Sequence, residues 1–201
     1  MRLIQEDDIE TKKSAQPGAG RGIFAKKKLE AGVILPYFAL IKNLEEAEEN
    51  EDDDTYFMAV TYLNDKRKPR NITALIADGN PKLKSIKKFK PHFRATALVN
   101  ESSNSPPNCV FVNNSILSKE DIVKAYKELK PIPITLLVMA RDVEEGEELY
   151  TLYGGDYDRE YKIWRDRNGI KNALIDRAHD IVDESHDQLV EMFSDTSEFK
   201  I

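Results

Sequence analysis

Three short segments of this sequence carry residue types that bind small ligands or support group transfer. The first is a glycine-rich turn, Gly18-Ala19-Gly20-Arg21-Gly22, in which backbone amides can approach a ligand because no Cβ stands in the way. The second is a polar loop from Asn100 to Cys109, rich in short side chains that hydrogen-bond to backbone. The third, residues 149–155, places a tyrosine before two glycines. A lone tyrosine in a strand is usually a core residue, so no segment assigns a function by itself.

Metal and disulfide chemistry have little support in the composition. Cys109 is the one cysteine among 201 residues, which excludes an internal disulfide framework and a Cys₄ or Cys₃His zinc site within the chain. The three histidines, His92, His179 and His186, share no ligand spacing. We therefore expect no bound metal, and a reducing, intracellular compartment, either nucleus or cytoplasm.

The overall composition predicts one soluble globular domain. The chain has 36 acidic and 30 basic side chains, a formal net charge of −6, and 40% hydrophobic residues. Its longest apolar run, residues 136–140, is far too short to cross a membrane, and residues 1–10 do not resemble a signal peptide. The negative charge argues against direct nucleic-acid binding and suits a basic partner.

The charge is strongly segregated along the chain. Residues 42–54 contain eight acids and one base, residues 62–94 contain ten bases and two acids, and residues 176–198 contain eight acids and one base. Such blocks can simply be solvated surface. They can also steer a lysine-rich peptide toward the protein, an effect that weakens with salt.

The sequence pattern predicts mostly strands around these segments, followed by helix near the C-terminus. This order of elements predicts a β-rich α+β protein. Ser118-Lys119-Glu120-Asp121 is a capping box for a helix ending near Leu129. Six residues recur at helical spacing near the C-terminus: Leu174, Ala178, Ile181, Ser185, Leu189 and Met192. Strands are predicted at Ile23–Ala25, Val33–Ile41, Thr55–Leu63, Ile72–Ala77, Ala95–Val99, Cys109–Val112, Ile134–Ala140 and Leu149–Tyr153.

Taken together and in order, the three segments resemble the SET-domain family of protein lysine methyltransferases. Residues 20–25, followed by 29–32 and Tyr37, are similar to the family's opening motif. Residues 98–109 are similar to its Asn-His-Ser-Cys-x-Pro-Asn-Cys loop. Residues 145–154 match its closing Gly-Glu-Glu-Leu-x-x-x-Tyr-Gly motif. The resemblance covers residues 15 to 165.

The resemblance implies a SET-domain, β-clip-like fold of small sheets with an inserted region and a C-terminal helical cap. It divides the chain into an N-terminal segment (1–14), a SET domain (15–155) with an insert at 42–97, and a helical post-SET segment (156–201). The last helix is also a candidate dimer contact.

The resemblance further implies an S-adenosylmethionine-dependent protein lysine N-methyltransferase that acts on a histone or another basic protein tail. Tyr153 would orient the substrate amine and the methyl group. Tyr37, Thr151 and Tyr157 would contact the substrate lysine. The cofactor would be bound by Ala19, Gly20, Arg21, Asn100, Glu101 and Trp164.

Several positions depart from the family pattern. Glu101 stands where the family has histidine, Thr151 stands where Phe or Tyr is usual, and Ala39 replaces a glycine after the channel tyrosine. Zinc-binding cysteine flanks are absent, so the aromatic residues of 157–164 and the last helix would close the site. Tyr157, Tyr161 and Trp164 fall on one helical face.

The departures at Glu101 and Thr151 support a second interpretation, a SET-like module that binds a peptide without turnover. A third interpretation assigns residues 20–32 to a small β-clip carbohydrate-binding or antifreeze-like domain. That interpretation leaves residues 147–154 unexplained.

Overall fold

The computed structural model describes residues 1–50, 54–64, 68–153, 164, 169–194 and 196–201. Within these ranges no helix is long and apolar enough to span a bilayer. The strands are β1 (Arg2–Leu3), β2 (Ile9–Lys13), β3 (Arg21–Ala25), β4 (Val33–Asn43), β5 (Phe57–Leu63), β6 (Pro69–Asp78), β7 (Asn100–Glu101), β8 (Cys109–Asn113), β9 (Ile132–Met139) and β10 (Tyr150–Thr151). The α-helices are α1 (Leu44–Glu49), α2 (Pro91–Arg94), α3 (Lys119–Glu128), α4 (Ile170–Glu184) and α5 (His186–Ser194). Short 3₁₀ helices cover Asp54–Tyr56, Ile86–Lys88, Ala95–Leu98 and Thr196–Phe199.

The chain forms two compact units. The first unit contains Met1–Leu35, Leu98–Val112 and Leu137–Ser185. The second unit contains Pro36–Ala97, Asn113–Leu136 and His186–Ile201. All three segments singled out by their chemistry therefore fall within the first unit.

Strand pairing in the first unit joins segments that are far apart in the sequence. β2 and β3 are antiparallel, in register from Ile9 opposite Ala25 to Lys13 opposite Arg21. β7 and β10 are parallel, with Asn100 opposite Tyr150 and Glu101 opposite Thr151. This two-residue ladder brings the polar loop next to the closing motif.

A buried carboxylate stabilises the start of the first unit. Asp8 is fully buried and accepts hydrogen bonds from Arg2 Nη1 at 2.5 Å and from the Gln5 amide at 2.7 Å, while Lys27 Nζ lies 2.9 Å away. Burial alone would raise the pKa of Asp8, but the hydrogen bonds from Arg2, Lys27 and Gln5 outweigh it and lower that pKa overall. Asp8 is therefore ionised in the folded protein at neutral pH.

Asp8→Asn is expected to lower the free energy of unfolding near pH 7 by about 1–3 kcal/mol. Because the folded pKa lies below the unfolded one, the carboxylate stabilises fully above its ordinary pKa of about 3.9. That stabilisation disappears as the pH falls through the lowered, folded value. Urea unfolding of both proteins between pH 7 and pH 2 should show that the difference in their free energies of unfolding disappears only at the acid end. A difference that does not depend on pH would contradict this account.

In the second unit, β6 lies between β5 and β4, and both pairings are antiparallel. The β4–β6 register runs from Leu40 opposite Asp78 to Asn43 opposite Leu75. Lys42 Nζ lies 2.7 Å from the buried carboxylate of Asp78. Asn43 ends β4 and caps α1, accepting from the Glu46 amide at 3.1 Å.

The core of the second unit contains a cluster of phenylalanines. Phe38 stacks on Phe89 with ring centroids 4.1 Å apart, and Phe199 lies within 5.4 Å of Phe38, Phe93 and Phe193. The backbone near Phe199 is also fixed, since its carbonyl accepts from the Lys90 amide at 2.9 Å. The last turn of the chain is therefore part of this core.

Phe199→Leu should lower the free energy of unfolding by about 1–2 kcal/mol, because it removes ring contacts while keeping an apolar side chain. Ile201→Ala is the matched control two residues away, since Ile201 is 84% exposed and should change stability by less than about 0.5 kcal/mol. Chemical denaturation measures both. Equal losses for the two variants would exclude the proposed anchoring of Phe199.

The predicted α3 capping box is confirmed, with Ser118 accepting from the Asp121 amide and Asp121 accepting from the Ser118 amide. The strand predicted at Ala95–Val99 is wrong. Residues 95–98 form a 3₁₀ helix that follows α2, and Thr96 donates to the carbonyls of Phe93 and Pro36.

The helix predicted near the C-terminus is present as two helices, α4 and α5, on either side of Ser185. The buried positions of α4 are Leu174, Ala178 and Val182, so Val182 takes the place predicted for Ile181. The helical period was correct, but Ile181, Ser185 and Met192 are only half-buried, and Phe193 is buried in α5 beside Met192.

Candidate active site

The glycine turn, the polar loop and the closing motif meet at the carboxylate of Glu148, which is 4% exposed. Glu148 accepts hydrogen bonds from the Ser14 hydroxyl at 2.7 Å, the Ala15 amide at 2.8 Å and the Tyr150 hydroxyl at 2.8 Å. Asn100 Nδ2 donates to the same carboxylate at 3.0 Å. One side chain therefore joins three segments that are more than 40 residues apart along the chain.

Tyr150 and Asn100 complete the hydrogen bonding of this cluster. Burial, together with the hydrogen bond to Glu148, raises the pKa of Tyr150, so its hydroxyl keeps its proton and donates. Asn100 Nδ2 also donates to the Arg21 carbonyl at 3.0 Å. The cluster is thus an extended hydrogen-bond network in which each donor has an acceptor.

Gly22 is required by this cluster. A Cβ at residue 22 would overlap the Glu148 carboxylate and crowd Asn100 Nδ2. The backbone beside it is fixed as well, because the Leu149 amide donates to the Ile23 carbonyl at 2.8 Å. The third glycine of the sequence motif therefore allows β3 to approach the closing motif.

Among the described residues, the glycine turn has open space beside it. Gly18 and Gly20 have φ values of +82° and +72°, which favour glycine, and no described atom lies within 4 Å of where their Cβ atoms would be. The turn is closed by the Ser14 amide, which donates to the Gly20 carbonyl at 2.9 Å. Gln16 ties the turn to the polar loop by accepting from the Ser103 hydroxyl at 2.9 Å.

Tyr153 is held at both ends by the segment from Val99 to Glu101. Its amide donates to Glu101 Oε1 at 2.8 Å, and its hydroxyl donates to the Val99 carbonyl at 2.7 Å. The next residue of that segment, Ser102, accepts from the Trp164 amide at 2.9 Å. Four consecutive residues, 99–102, therefore contact Tyr153, Glu148 and Trp164.

A second carboxylate supports the base of the polar loop. Asn108 Nδ2 donates to Glu147 Oε1 at 3.1 Å and to the Glu148 carbonyl at 2.8 Å, and its Oδ1 accepts from the Tyr150 amide at 2.8 Å. Burial would raise the pKa of Glu147, but hydrogen bonds from Arg141 and Asn108 lower it overall. Asn108 thus connects the backbone of residues 148 and 150 to the Glu147 carboxylate.

The site also contains the thiol of Cys109 and the hydroxyl of Thr151, which differ in their hydrogen bonding. Cys109 is fully buried, its thiol donates to the Tyr150 carbonyl at 3.2 Å, and burial raises its pKa, so it is a poor nucleophile. Thr151 is 1% exposed, and its hydroxyl has no hydrogen-bond partner among the described residues. A buried hydroxyl of this kind is an available polar contact for a ligand.

Most of the predicted site residues lie in the first unit. Ala19, Gly20 and Arg21 form the glycine turn and the start of β3, although the Arg21 guanidinium is bound to Thr11, and only its carbonyl contacts the cluster. Residues 100, 101, 151, 153 and 164 are linked by the contacts given above.

Two predicted substrate contacts are not among the described residues of the first unit. Tyr37 is a residue of the second unit and is 4% exposed, with its hydroxyl donating to the Tyr56 carbonyl at 2.6 Å. Its ring lies where a Cβ on Gly79 would be. Tyr157 lies outside the described residues.

Glu148, Ser14 and Asn108 were not predicted as site residues from the sequence. A signal for Glu148 is present in the sequence, since it is an acid directly before the fully buried Leu149 and next to a second acid. No comparable signal marks Ser14, because its partner is 134 residues away.

The family model of the SET domain matches residues 20–154. The chain therefore belongs to the SET-domain family, and its fold is the α+β SET fold. No curated protein matches the sequence. Among solved structures, the methyltransferase domain of human PR domain-containing protein 2 is similar at 14% identity and a TM-score of 0.44, covering 78% of this chain and 84% of that one.

Proposed function

We propose that this protein is an S-adenosylmethionine-dependent protein lysine N-methyltransferase that acts on a histone or another basic protein tail. The observation that supports this most strongly is the arrangement of Tyr153, whose amide and hydroxyl are both fixed by residues 99–101. A tyrosine with a fixed hydroxyl can orient an amine without itself forming a covalent bond.

The residues present fit a methyl-donor cofactor. The turn at Gly18 and Gly20 has exposed backbone, and no described atom lies within 4 Å of where their Cβ atoms would be. Ala19, Gly20 and Arg21 would hold the methionine part, and Asn100, the backbone of Glu101 and Trp164 the adenine and amino groups. When bound, the cofactor supplies an electrophilic methyl group on a sulfonium sulfur.

The chain itself must hold the substrate lysine as a neutral amine. At its ordinary pKa of about 10.4, removing the proton at pH 7 costs about 5 kcal/mol. A water-poor, aromatic channel offsets part of that cost because it disfavours the ammonium, and we assign Thr151 and Tyr157 to it. Holding two reactants in line contributes on the order of 7–11 kcal/mol at the limit.

Tyr153 would direct the amine lone pair. Its hydroxyl proton is donated to the Val99 carbonyl, and a phenol oxygen can accept a hydrogen bond while it donates one. An N–H of the substrate amine would donate to that oxygen, which turns the nitrogen lone pair away from Tyr153 and toward the methyl group. The substrate ammonium would release its proton to solvent before the transfer. The nitrogen–methyl bond would then form as the methyl–sulfur bond breaks, so the positive charge passes to the methylated amine, and the demethylated cofactor would leave as a neutral thioether.

The test is a two-part measurement on the purified protein. Calorimetric titration with S-adenosylmethionine should give one binding site, and incubation of the protein with radiolabelled cofactor and core histones should label a histone lysine. Binding without transfer would favour a peptide-binding module, the second candidate, which is motivated by Glu101 and Thr151 at positions where the family has other residues. No cofactor binding and no transfer would exclude the methyltransferase.

We expect a basic peptide to be captured partly by long-range attraction. In α1, four exposed glutamates lie within six residues, without a basic residue in the helix. Raising the salt from about 50 to about 300 mM should therefore increase the KM for a lysine-rich peptide several-fold. A variant with glutamine at all four positions should show a weaker salt effect, and an unchanged KM in the wild type would contradict steering.

A further inference from the structure

Glu101 is the most unusual residue of the site, because the SET family has histidine at the matching position. It lies in β7, opposite Thr151 of β10, and is 1% exposed. A buried carboxylate is costly unless it accepts hydrogen bonds. Its Oε1 accepts from the Tyr153 amide at 2.8 Å, a hydrogen bond of good length.

The second attachment of Tyr153 comes from the same segment. The Val99 carbonyl, two residues before Glu101, accepts from the Tyr153 hydroxyl at 2.7 Å. The two bonds hold opposite ends of one residue, its backbone amide and its phenol oxygen. The direction of the ring is therefore set jointly by Glu101 and Val99.

A substitution can remove only one of the two acceptors that hold Tyr153. The Val99 acceptor is a backbone carbonyl and is present with any side chain at residue 99. The Glu101 acceptor is a side chain, and β10 ends at Thr151, so the Tyr153 amide lies beyond the β7–β10 ladder. The backbone position of Tyr153 thus depends on a side chain that differs from the family pattern.

We propose that Glu101 is a positioning residue that fixes the backbone of Tyr153 and so sets where its hydroxyl meets the substrate amine. This proposal rests on the proposed function. Glu101 acts through Tyr153, and the cofactor keeps its own contacts to the glycine turn. The effect of losing the carboxylate should therefore fall on turnover and leave cofactor affinity unchanged.

The test compares Glu101→Leu, which removes the acceptor at similar volume, with Glu101→Gln, which keeps an acceptor oxygen. Asp8→Asn is the matched control, since Asp8 is a buried carboxylate of the same unit whose donors are Arg2, Lys27 and Gln5. Three quantities are measured on each protein: kcat for peptide methylation, the Kd for S-adenosylmethionine, and the hydrogen-exchange rate of the Tyr153 amide by NMR.

For Glu101→Leu we expect kcat to fall about 10- to 100-fold, since misplacing a reacting geometry by about 1 Å costs this much. The Tyr153 amide should exchange at least about 10-fold faster, and the Kd for the cofactor should stay within about 2-fold. Glu101→Gln should restore kcat to within about 3-fold of wild type. Asp8→Asn should change neither kcat nor the exchange of Tyr153.

The proposal is overturned if Glu101→Leu leaves the Tyr153 amide and kcat unchanged, or if Asp8→Asn reduces kcat equally. If Glu101→Leu does not fold, the Tyr153 amide resonance in Glu101→Gln decides: a shift larger than that of other first-unit amides supports the contact, and no shift overturns it. If the wild type transfers no methyl group, the proposed function fails, and amide exchange alone decides whether Glu101 holds Tyr153.

Discussion

Tyr153→Phe is expected to lower kcat for lysine methylation by about 100- to 1,000-fold, the usual cost of removing one preorganised hydrogen-bonding group from a reaction site. The substitution removes only the hydroxyl that donates to the Val99 carbonyl at 2.7 Å. The amide contact to Glu101 is unaffected, so the backbone should stay in place. Radiolabel transfer to histones measures the loss, and calorimetry should show that S-adenosylmethionine still binds.

Tyr126→Phe is the matched control for that experiment. Tyr126 lies in α3 of the second unit, is partly exposed, and has no role in the proposed site. Its variant should retain the wild-type rate. A Tyr153→Phe protein that methylates at the wild-type rate would show that the hydroxyl does not orient the amine.

Glu148→Leu is expected to have the largest effect on stability, lowering the free energy of unfolding by about 3–5 kcal/mol. The reason is that four donors lose their shared acceptor at once, and Ser14 and Asn100 are buried. The loss should also free the glycine turn from the closing motif, so cofactor affinity should decrease together with stability.

Chemical denaturation measures this loss, with Glu145→Gln as the control from the same motif. Glu145 is exposed, and its variant should stay within about 0.5 kcal/mol of wild type. A Glu148→Leu protein that loses less than about 1 kcal/mol would contradict a central role for the cluster.

Local patterns in the sequence predicted much of the fold. The capping box at Ser118 and the alternation of strands and turns are short-range signals, because each depends on residues a few positions apart. The SET-domain assignment depends on the order and spacing of three motifs, and the family match over residues 20–154 confirms it. The prediction failed at residues 95–98, where an apolar run too short to show a period forms a 3₁₀ helix.

The contacts that build the site could not be predicted in this way. Glu101 and Tyr153 are 52 residues apart, and Ser14 and Glu148 are 134 apart. The sequence indicated that Asn100 and Tyr153 belong to one site, because the family motifs contain both. Only a weak signal marked Glu148, an acid directly before the apolar Leu149, because a glutamate in an acid-rich turn is usually solvated.

The measurement that tests the central claim most directly is mass spectrometry of core histones and a lysine-rich peptide after incubation with the protein and S-adenosylmethionine. We predict that a lysine gains the mass of one or more methyl groups, and that the Tyr153→Phe protein leaves the same lysine unmodified. Cofactor binding by the wild type, with no methylated lysine on any histone, peptide or protein of a cell extract, would contradict the assignment as a lysine methyltransferase.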